Sequence, residues 1–298
     1  MTVNLFCITN DFAVCVADRR FTSEIGDIVS DRAKKILLIQ CQDARVIAAF
    51  NGYAGKSTND SPIDWILRAK GLGAMNFSDL VNRIKLILEN NLKKTPRNLA
   101  RLSLTLCGFQ YRQPVLVHIS NYESLEPNKV LKDAQEVMTT EWFSKDFLSV
   151  VTGSYNALDE ASLKRKFETY YKHGTTPEAV RRTMLKAARD VSFLGGRAGN
   201  VGANCHSVIL DVSAGYTCNL HAVGGTSVKE FPDTIGVSST FSNIVVDTNP
   251  SKDGPAWGHP EKRNYAKLKD QSCRRCGNPV PSGQKQCGVC DATFIEQK

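Results

Sequence analysis

The sequence predicts an α+β fold in which two sheets of short strands carry helices on their outer faces, followed by a small cysteine-rich module. Three observations predict it. Apolar, β-rich runs cluster at the beginning, the middle and the end of the first 225 or so residues. Segments with helical spacing separate those clusters. Four of the ten cysteines fall in the last 26 residues as two Cys-x-x-Cys pairs.

The elements follow in order. Val3 to Ile8 and Phe12 to Ala17 are strand-like runs split by Thr9-Asn10-Asp11, the pattern of a hairpin. A loop carrying Gly26 leads to two further apolar runs, Ile36 to Gln40 and Val46 to Phe50. Ser78 is placed to cap a helix whose Leu80, Val81, Ile84, Ile87, Leu88 and Leu92 share one face. Strands return at Leu102 to Phe109 and Pro114 to Ile119, and again at Leu148 to Thr152, ending in Gly153-Ser154. Asp159 to His173, closed by Gly174, reads as a helix with His173 as a C-terminal charge. Thr176-Pro177-Glu178 opens another helix to about Val191, because proline at the first helical position gives up an N–H that had no partner anyway. Ser207 to Val212 and Tyr216 to Val223 are the two closing strands, with His206 packed as a core residue. Residues 1–245 thus form one domain, 246–271 a polar linker and 272–298 the cysteine module.

Composition narrows the function. With 42% hydrophobic and 23% charged residues in 298, the chain is an ordinary globular protein rather than a disordered or fibrous one. No window approaches eighteen consecutive apolar residues and no basic, apolar leader opens the sequence, so no membrane association is expected and the cytoplasm is the expected location. The net charge of +8 is spread out, without an arginine-rich tract, so nucleic acid is not the expected partner. Cys7, Cys15, Cys41, Cys107, Cys205 and Cys218 are scattered, which suits buried free thiols rather than a disulfide scaffold.

The chemistry concentrates at the N-terminus. Methionine before a small residue is normally trimmed, so Thr2 is expected to become the first residue. A terminal threonine joins a hydroxyl nucleophile to an amine titrating near pH 8, which can serve as its general base. Such a site needs a lysine to lower the proton affinity of its neighbours, a carboxylate to hold that lysine and a backbone N–H for the oxyanion. Asp18 ends the second strand, Lys34-Lys35 opens the third, and Gly52 follows the fourth.

Here the chain resembles the proteasome β-type family of N-terminal-nucleophile hydrolases, including the peptidase subunit of the bacterial two-component ATP-dependent protease. Val14-Cys15-Val16-Ala17-Asp18-Arg19-Arg20-Phe21-Thr22 is similar to the family's apolar strand followed by Asp, x, Arg, x, Thr. Ile28-Val29-Ser30-Asp31 with Lys34-Lys35-Ile36 is similar to its Ile-Val-x-Asp and Lys-Lys-Ile elements, and Val46 to Gly52 to the strand reaching its oxyanion glycine. The likeness covers roughly residues 2 to 225, densely in the first 55. It implies a four-layer αββα sandwich with Thr2 as nucleophile, Asp18 orienting a lysine and Gly52 donating to the oxyanion. Lys35 fits the lysine-before-isoleucine pattern and is preferred, although Lys34 is closer to Thr2 by count. Ser154, in Thr152-Gly153-Ser154, resembles the serine that supports the terminal amine. Asp190, with Ser192 and Gly195-Gly196, resembles the family's Asp-x-x-Ser-Gly-Gly with its spacing off by a residue. The resemblance further implies a polypeptide substrate, assembly into a homo-oligomeric ring and docking of an ATP-driven (AAA+) unfoldase or a regulator.

Cys273-x-x-Cys276 and Cys287-x-x-Cys290, ten residues apart, form a zinc-ribbon pattern. Four thiolates fill a tetrahedral Zn²⁺ site and leave no position for substrate, so the metal would be structural. A module this short draws most of its folding energy from the metal. The expected function is therefore a threonine-type endopeptidase without a catalytic cofactor. The alternatives are an inactive proteasome-like scaffold or adaptor acting through its ribbon, and a small-molecule amidase with the same terminal nucleophile.

Overall fold

The Asn10–Asp11 corner forms the first hairpin, joining β1 (Val3–Thr9) to antiparallel β2 (Phe12–Asp18). Thr9 Oγ1 accepts hydrogen bonds from the N–H groups of Asp11 and Phe12, which fixes the turn. The computed structural model describes residues 2–22, 28–30, 33–53, 60–69, 72–95, 100–125, 137–153, 160–194, 202, 204–212, 215–221, 227–228, 233–238, 241–245, 271–272 and 279–280.

Next come β3 (Phe21–Thr22), β4 (Ile28–Ser30), β5 (Ile36–Gln40), β6 (Ala44–Gly52) and α1 (Pro62–Leu67). Helix α2 (Phe77–Leu92) precedes β7 (Leu102–Gln110), β8 (Gln113–Ser120), β9 (Thr139–Phe143) and β10 (Phe147–Gly153). Helices α3 (Glu160–His173) and α4 (Pro177–Leu194) are followed by β11 (Cys205–Asp211) and β12 (Gly215–His221). The remaining strands are β13 (Ser227–Val228), β14 (Asp233–Ser238), β15 (Phe241–Val245), β16 (Gln271–Ser272) and β17 (Pro279–Val280).

Among the described residues two main sheets form, in the orders β10-β1-β2-β11-β12-β13 and β15-β14-β5-β6-β7-β8-β9. Their pairings are antiparallel except for β14 with β5. Strand alternation sorts the apolar side chains into three cores. Phe6 and Ile8 of β1, Ile36 and Leu38 of β5, Ile47 and Ala49 of β6, and Cys107 and Phe109 of β7 meet between the sheets. Leu37, Ile39, Val46 and Ala48 turn the other way, toward α1 and α2. Val3, Leu5 and Cys7 face α3 and α4. The layers are therefore helix, sheet, sheet, helix, each buried large aliphatic or aromatic side chain contributing about 1.5–3 kcal/mol. No helix among the described residues is long and apolar enough to cross a membrane.

Several elements differ from the sequence expectation. Helix α2 is capped by Asn76 rather than Ser78, with Asn76 Oδ1 accepting from the N–H of Asp79 at 2.9 Å. That earlier start inserts Phe77, fully buried, against the second sheet. Helix α1 was not anticipated, although Ser61, Pro62 and Asp64 build a complete capping box. Nor were β9, β14 and β15, so β11 and β12 do not close the chain; β14 adds in parallel to β5. Cys7, Cys15, Cys41, Cys107 and Cys205 are buried free thiols, as expected, and His206 is buried on β11. Residues 246–270 of the linker and the four module cysteines lie outside the described residues.

The space between the sheets changes character along the strands. Beyond the apolar slab, toward the end where β1 starts and β6 stops, the buried side chains become polar: Thr2, Asn4, Asn51, Ser103, Thr105 and His118. Burial pushes the His118 imidazole down to about 4 from the usual 6.5. Between those values an unfolded chain binds a proton that the folded chain refuses, so this group makes stability fall as pH falls through that window. The stability lost between about pH 6.5 and pH 4 should be smaller in His118→Gln than in the wild type by roughly 2 kcal/mol, as read by urea unfolding at several pH values. Equal losses would show that the ring is protonated in the fold.

Candidate active site

Antiparallel order brings strand starts and strand ends to one edge of the sandwich. In the first sheet these are the start of β1, the end of β2, the end of β10 and the start of β11. In the second they are the start of β5, the end of β6 and the start of β7. Thr2, Asp18 and Lys35 come from this edge, and all three are buried.

Lys35 spans the mouth between the sheets. Its Nζ donates to Thr2 Oγ1 at 2.6 Å and lies 3.2 and 3.1 Å from the two carboxylate oxygens of Asp18. Only 1% of the Lys35 side chain and none of the Asp18 side chain is exposed. The loop before Lys35 is held by Arg19, whose carbonyl accepts from the Ala33 N–H and whose Nε donates to the Ala33 carbonyl. Lys34, by contrast, is exposed.

Asp18 does more than pair with lysine. Oδ1 accepts from the Val3 N–H at 2.9 Å, and Oδ2 from the N–H groups of Arg20 at 3.0 Å and Gly202 at 3.1 Å. One carboxylate thereby ties the first residues of β1 to β2 and to the segment entering β11. Burial pulls the Lys35 ammonium below its ordinary value, and the Asp18 charge and hydrogen bond oppose that fall. Cys205, the register partner of Asp18, is pushed up to about 12 by burial and next by the Asp18 charge, so it adds a neutral thiol beside the pair.

Glycines let other backbone segments come close. Gly153, at φ +91°, packs so tightly on Thr2 that a Cβ there would lie 2.0 Å from the Thr2 carbonyl oxygen, and 3.4 Å from Asn51 Cβ. Asn51, and Gly52 after it, therefore lie beside the first residues of β1. Gly52 also has φ +91°, and a Cβ there would meet the Arg101 carbonyl oxygen at 2.1 Å. Asn4 Nδ2 donates across to the Phe50 carbonyl, a further bridge between the sheets at this end.

Of the remaining sequence candidates, Asp190 and Ser192 are described, and both lie on α4. Asp190 is exposed on α4, and among the described residues neither a hydrogen bond nor an ion pair joins it to Thr2, Asp18 or Lys35. Ser192 Oγ donates back to the Arg189 carbonyl of its own helix. Ser154 lies outside the described residues. Sequence reasoning missed Glu123, whose carboxylate bonds Asn51, Ser103 and Gly153. A single glutamate after a strand carries no spacing signal, and its partners sit on three separate strands.

Chemically, an ammonium held 2.6 Å from a hydroxyl oxygen stabilises the alkoxide that forms when that hydroxyl attacks. No family model matches the chain, and no curated protein matches it. Among solved structures it is similar to Anbu (ancestral beta-subunit) from Yersinia bercovieri, at 13% identity over 71% of this chain and 82% of that one, with TM-score 0.48. It is similar also to the helical assembly of the Anbu complex from Pseudomonas aeruginosa, at 15% identity, 76% and 87% coverage and TM-score 0.49. Eukaryotic HslV from Trypanosoma brucei matches at 18% identity, covering 70% of this chain and 99% of that one, with TM-score 0.41.

Proposed function

We propose that this chain hydrolyses peptide bonds as a threonine-type, proteasome-like endopeptidase with Thr2 as its nucleophile. The observation that carries the reading is the 2.6 Å contact from Lys35 Nζ to Thr2 Oγ1, made by a lysine that is itself held by Asp18. A buried ammonium aimed at a terminal hydroxyl is costly to maintain, and stabilising an alkoxide is the use that fits it.

The steps follow from these groups. Removal of Met1 converts the Thr2 peptide nitrogen into a free amine titrating near pH 8. That amine takes the hydroxyl proton, directly or through a water, as Oγ1 attacks the substrate carbonyl. Lys35 steadies the oxygen, and the N–H of Gly52 receives the oxyanion. Collapse of the tetrahedral intermediate breaks the C–N bond, the protonated amine of Thr2 passes its proton to the leaving amine, and an ester remains on Thr2. Water, activated by the same amine, then releases the carboxylate product. Ser154 enters this reading as a support of that amine, as the family resemblance implies. A polypeptide substrate, a homo-oligomeric ring and an ATP-driven unfoldase belong to the same reading.

The purified chain should have lost Met1 by intact mass, gain a β-lactone adduct mapped to Thr2, and cleave fluorogenic peptide amides. Thr2→Ala should abolish the adduct and lower turnover by about 10³-fold or more. A trimmed, folded chain with neither adduct nor turnover would defeat the reading in favour of a silent scaffold.

Structural zinc at Cys273, Cys276, Cys287 and Cys290 completes the proposal. The donor set suits it, and Gln271–Ser272 pairs antiparallel with Pro279–Val280, the residues that flank the first cysteine pair in sequence. Atomic emission should find one zinc per chain, lost in Cys273→Ser. A metal-free preparation that keeps the module folded would contradict it.

A further inference from the structure

The polar layer beside Thr2 is organised around one carboxylate that the chemistry above does not use. Glu123 follows β8 and is buried. Its Oε1 accepts from Asn51 Nδ2 at 3.0 Å and from Ser103 Oγ, and its Oε2 accepts from the Gly153 N–H at 3.4 Å. The other end of the Asn51 amide is fixed as well, since Tyr122 Oη donates to Asn51 Oδ1. The Glu123 backbone is anchored in turn, its N–H donating to Ser120 Oγ at 3.0 Å.

These partners are not scattered. Asn51 immediately precedes Gly52 at the end of β6, and Gly153 ends β10 against the Thr2 carbonyl. One carboxylate therefore joins the strand end that carries the proposed oxyanion donor to the strand end that seats the proposed nucleophile, and these ends belong to different sheets. We propose that Glu123 is a positioning residue for the reaction, a strut whose ionised carboxylate sets the spacing between Gly52 and Thr2. The inference rests on the reading of Thr2 as nucleophile. A strut of this kind acts on the transition state, where an oxyanion displaced by an ångström loses its donor, more than on substrate binding.

The strut has a built-in acid limit. The ionised carboxylate accepts from all three donors, and protonation makes one of its oxygens a donor and a weaker acceptor. Burial pushes the Glu123 carboxyl up, while the bonds from Ser103, Asn51 and Gly153 hold it back. The ionised form, and with it the strut, is thus lost as pH falls through that raised value. The titratable groups around it are His118 of β8, with Nε2 3.8 Å from Glu123 Oε1, Glu141 of β9, Tyr122, and the Thr2 amine, just before β1, once Met1 is gone. With its imidazole pushed down to about 4 by burial, His118 is neutral near pH 7 and supplies no charge there that would hold Glu123 ionised. Glu141 repels a second negative charge and adds to the upward push.

Glu123→Gln keeps the shape but turns an amide N–H₂ toward groups that are themselves donors. With a fluorogenic peptide amide, kcat should fall about tenfold or more while KM stays within twofold. The part of the wild-type acid limb that reports Glu123 should disappear from the variant, leaving the limb set by the Thr2 amine, and Glu123→Asp should recover part of the rate. Should Glu123→Gln not fold, Asn51→Ser removes the same tie from its other end and carries the same kcat and KM expectation. A Glu123→Gln protein with wild-type kcat and an unchanged acid limb, in a preparation whose wild type forms the Thr2 lactone adduct, overturns this inference alone. A wild type with neither adduct nor hydrolysis overturns the reading of Thr2, and the inference with it.

Discussion

The buried pair of Lys35 and Asp18 is the constraint around which this molecule is built. Removing an ammonium and a carboxylate from water costs several kcal/mol for each ion, which their attraction offsets only when the remaining lone pairs and protons are satisfied. Here they are. Asp18 takes three backbone N–H groups besides the lysine, and Lys35 takes Thr2 Oγ1 as a further acceptor. The electrostatic need of one carboxylate thus fixes where β1 begins, how β2 ends and where the chain re-enters at β11. Lys35 reaches it across the gap between the sheets. Site and fold are accordingly one energetic problem, since the strands cannot shift register without leaving a buried charge alone.

The interior reflects the same division of labour. Between the sheets an apolar slab of Phe6, Ile8, Ile36, Ile47 and Cys107 supplies cohesion. At the reactive edge it yields to a layer that includes Asn4, Asn51, Ser103, Thr105, His118 and Glu123. A polar layer between two sheets contributes less to stability than an apolar one would, because its hydrogen bonds mostly replace bonds to water. It supplies direction instead. Each bond holds a strand end at a defined distance, and a low-dielectric setting keeps those bonds strong.

Much of this was legible in the sequence, and the limits have physical causes. The opening hairpin, the amphipathic face of α2 and the proline start of α4 are local patterns, and each formed within a few residues of its expected bounds. Helix α1 escaped because six residues offer too few turns for periodicity to show, although its capping box was present. β9 escaped because it is an edge strand with half-exposed side chains and no alternating apolar signal. At the site, Thr2, Asp18 and the Lys34-Lys35 pair stood out at the ends of recognisable strands, and the family resemblance favoured Lys35 over Lys34. Glu123 did not, because its partners come from β6, β7 and β10 and meet it only once both sheets are stacked. Asn76 displaced Ser78 as the cap because the position of Phe77 in the core, a tertiary demand, decided between two adequate capping residues.

The most direct test of the whole account is the titration of Lys35 itself, followed by NMR through the ¹³Cε and ¹⁵Nζ shifts of labelled lysine, with Lys35→Arg providing the assignment. The account predicts a midpoint below that of the exposed lysines, since burial outweighs the carboxylate, and a further fall in Asp18→Asn. A Lys35 resonance that titrates with the surface lysines and ignores the loss of Asp18 would contradict it.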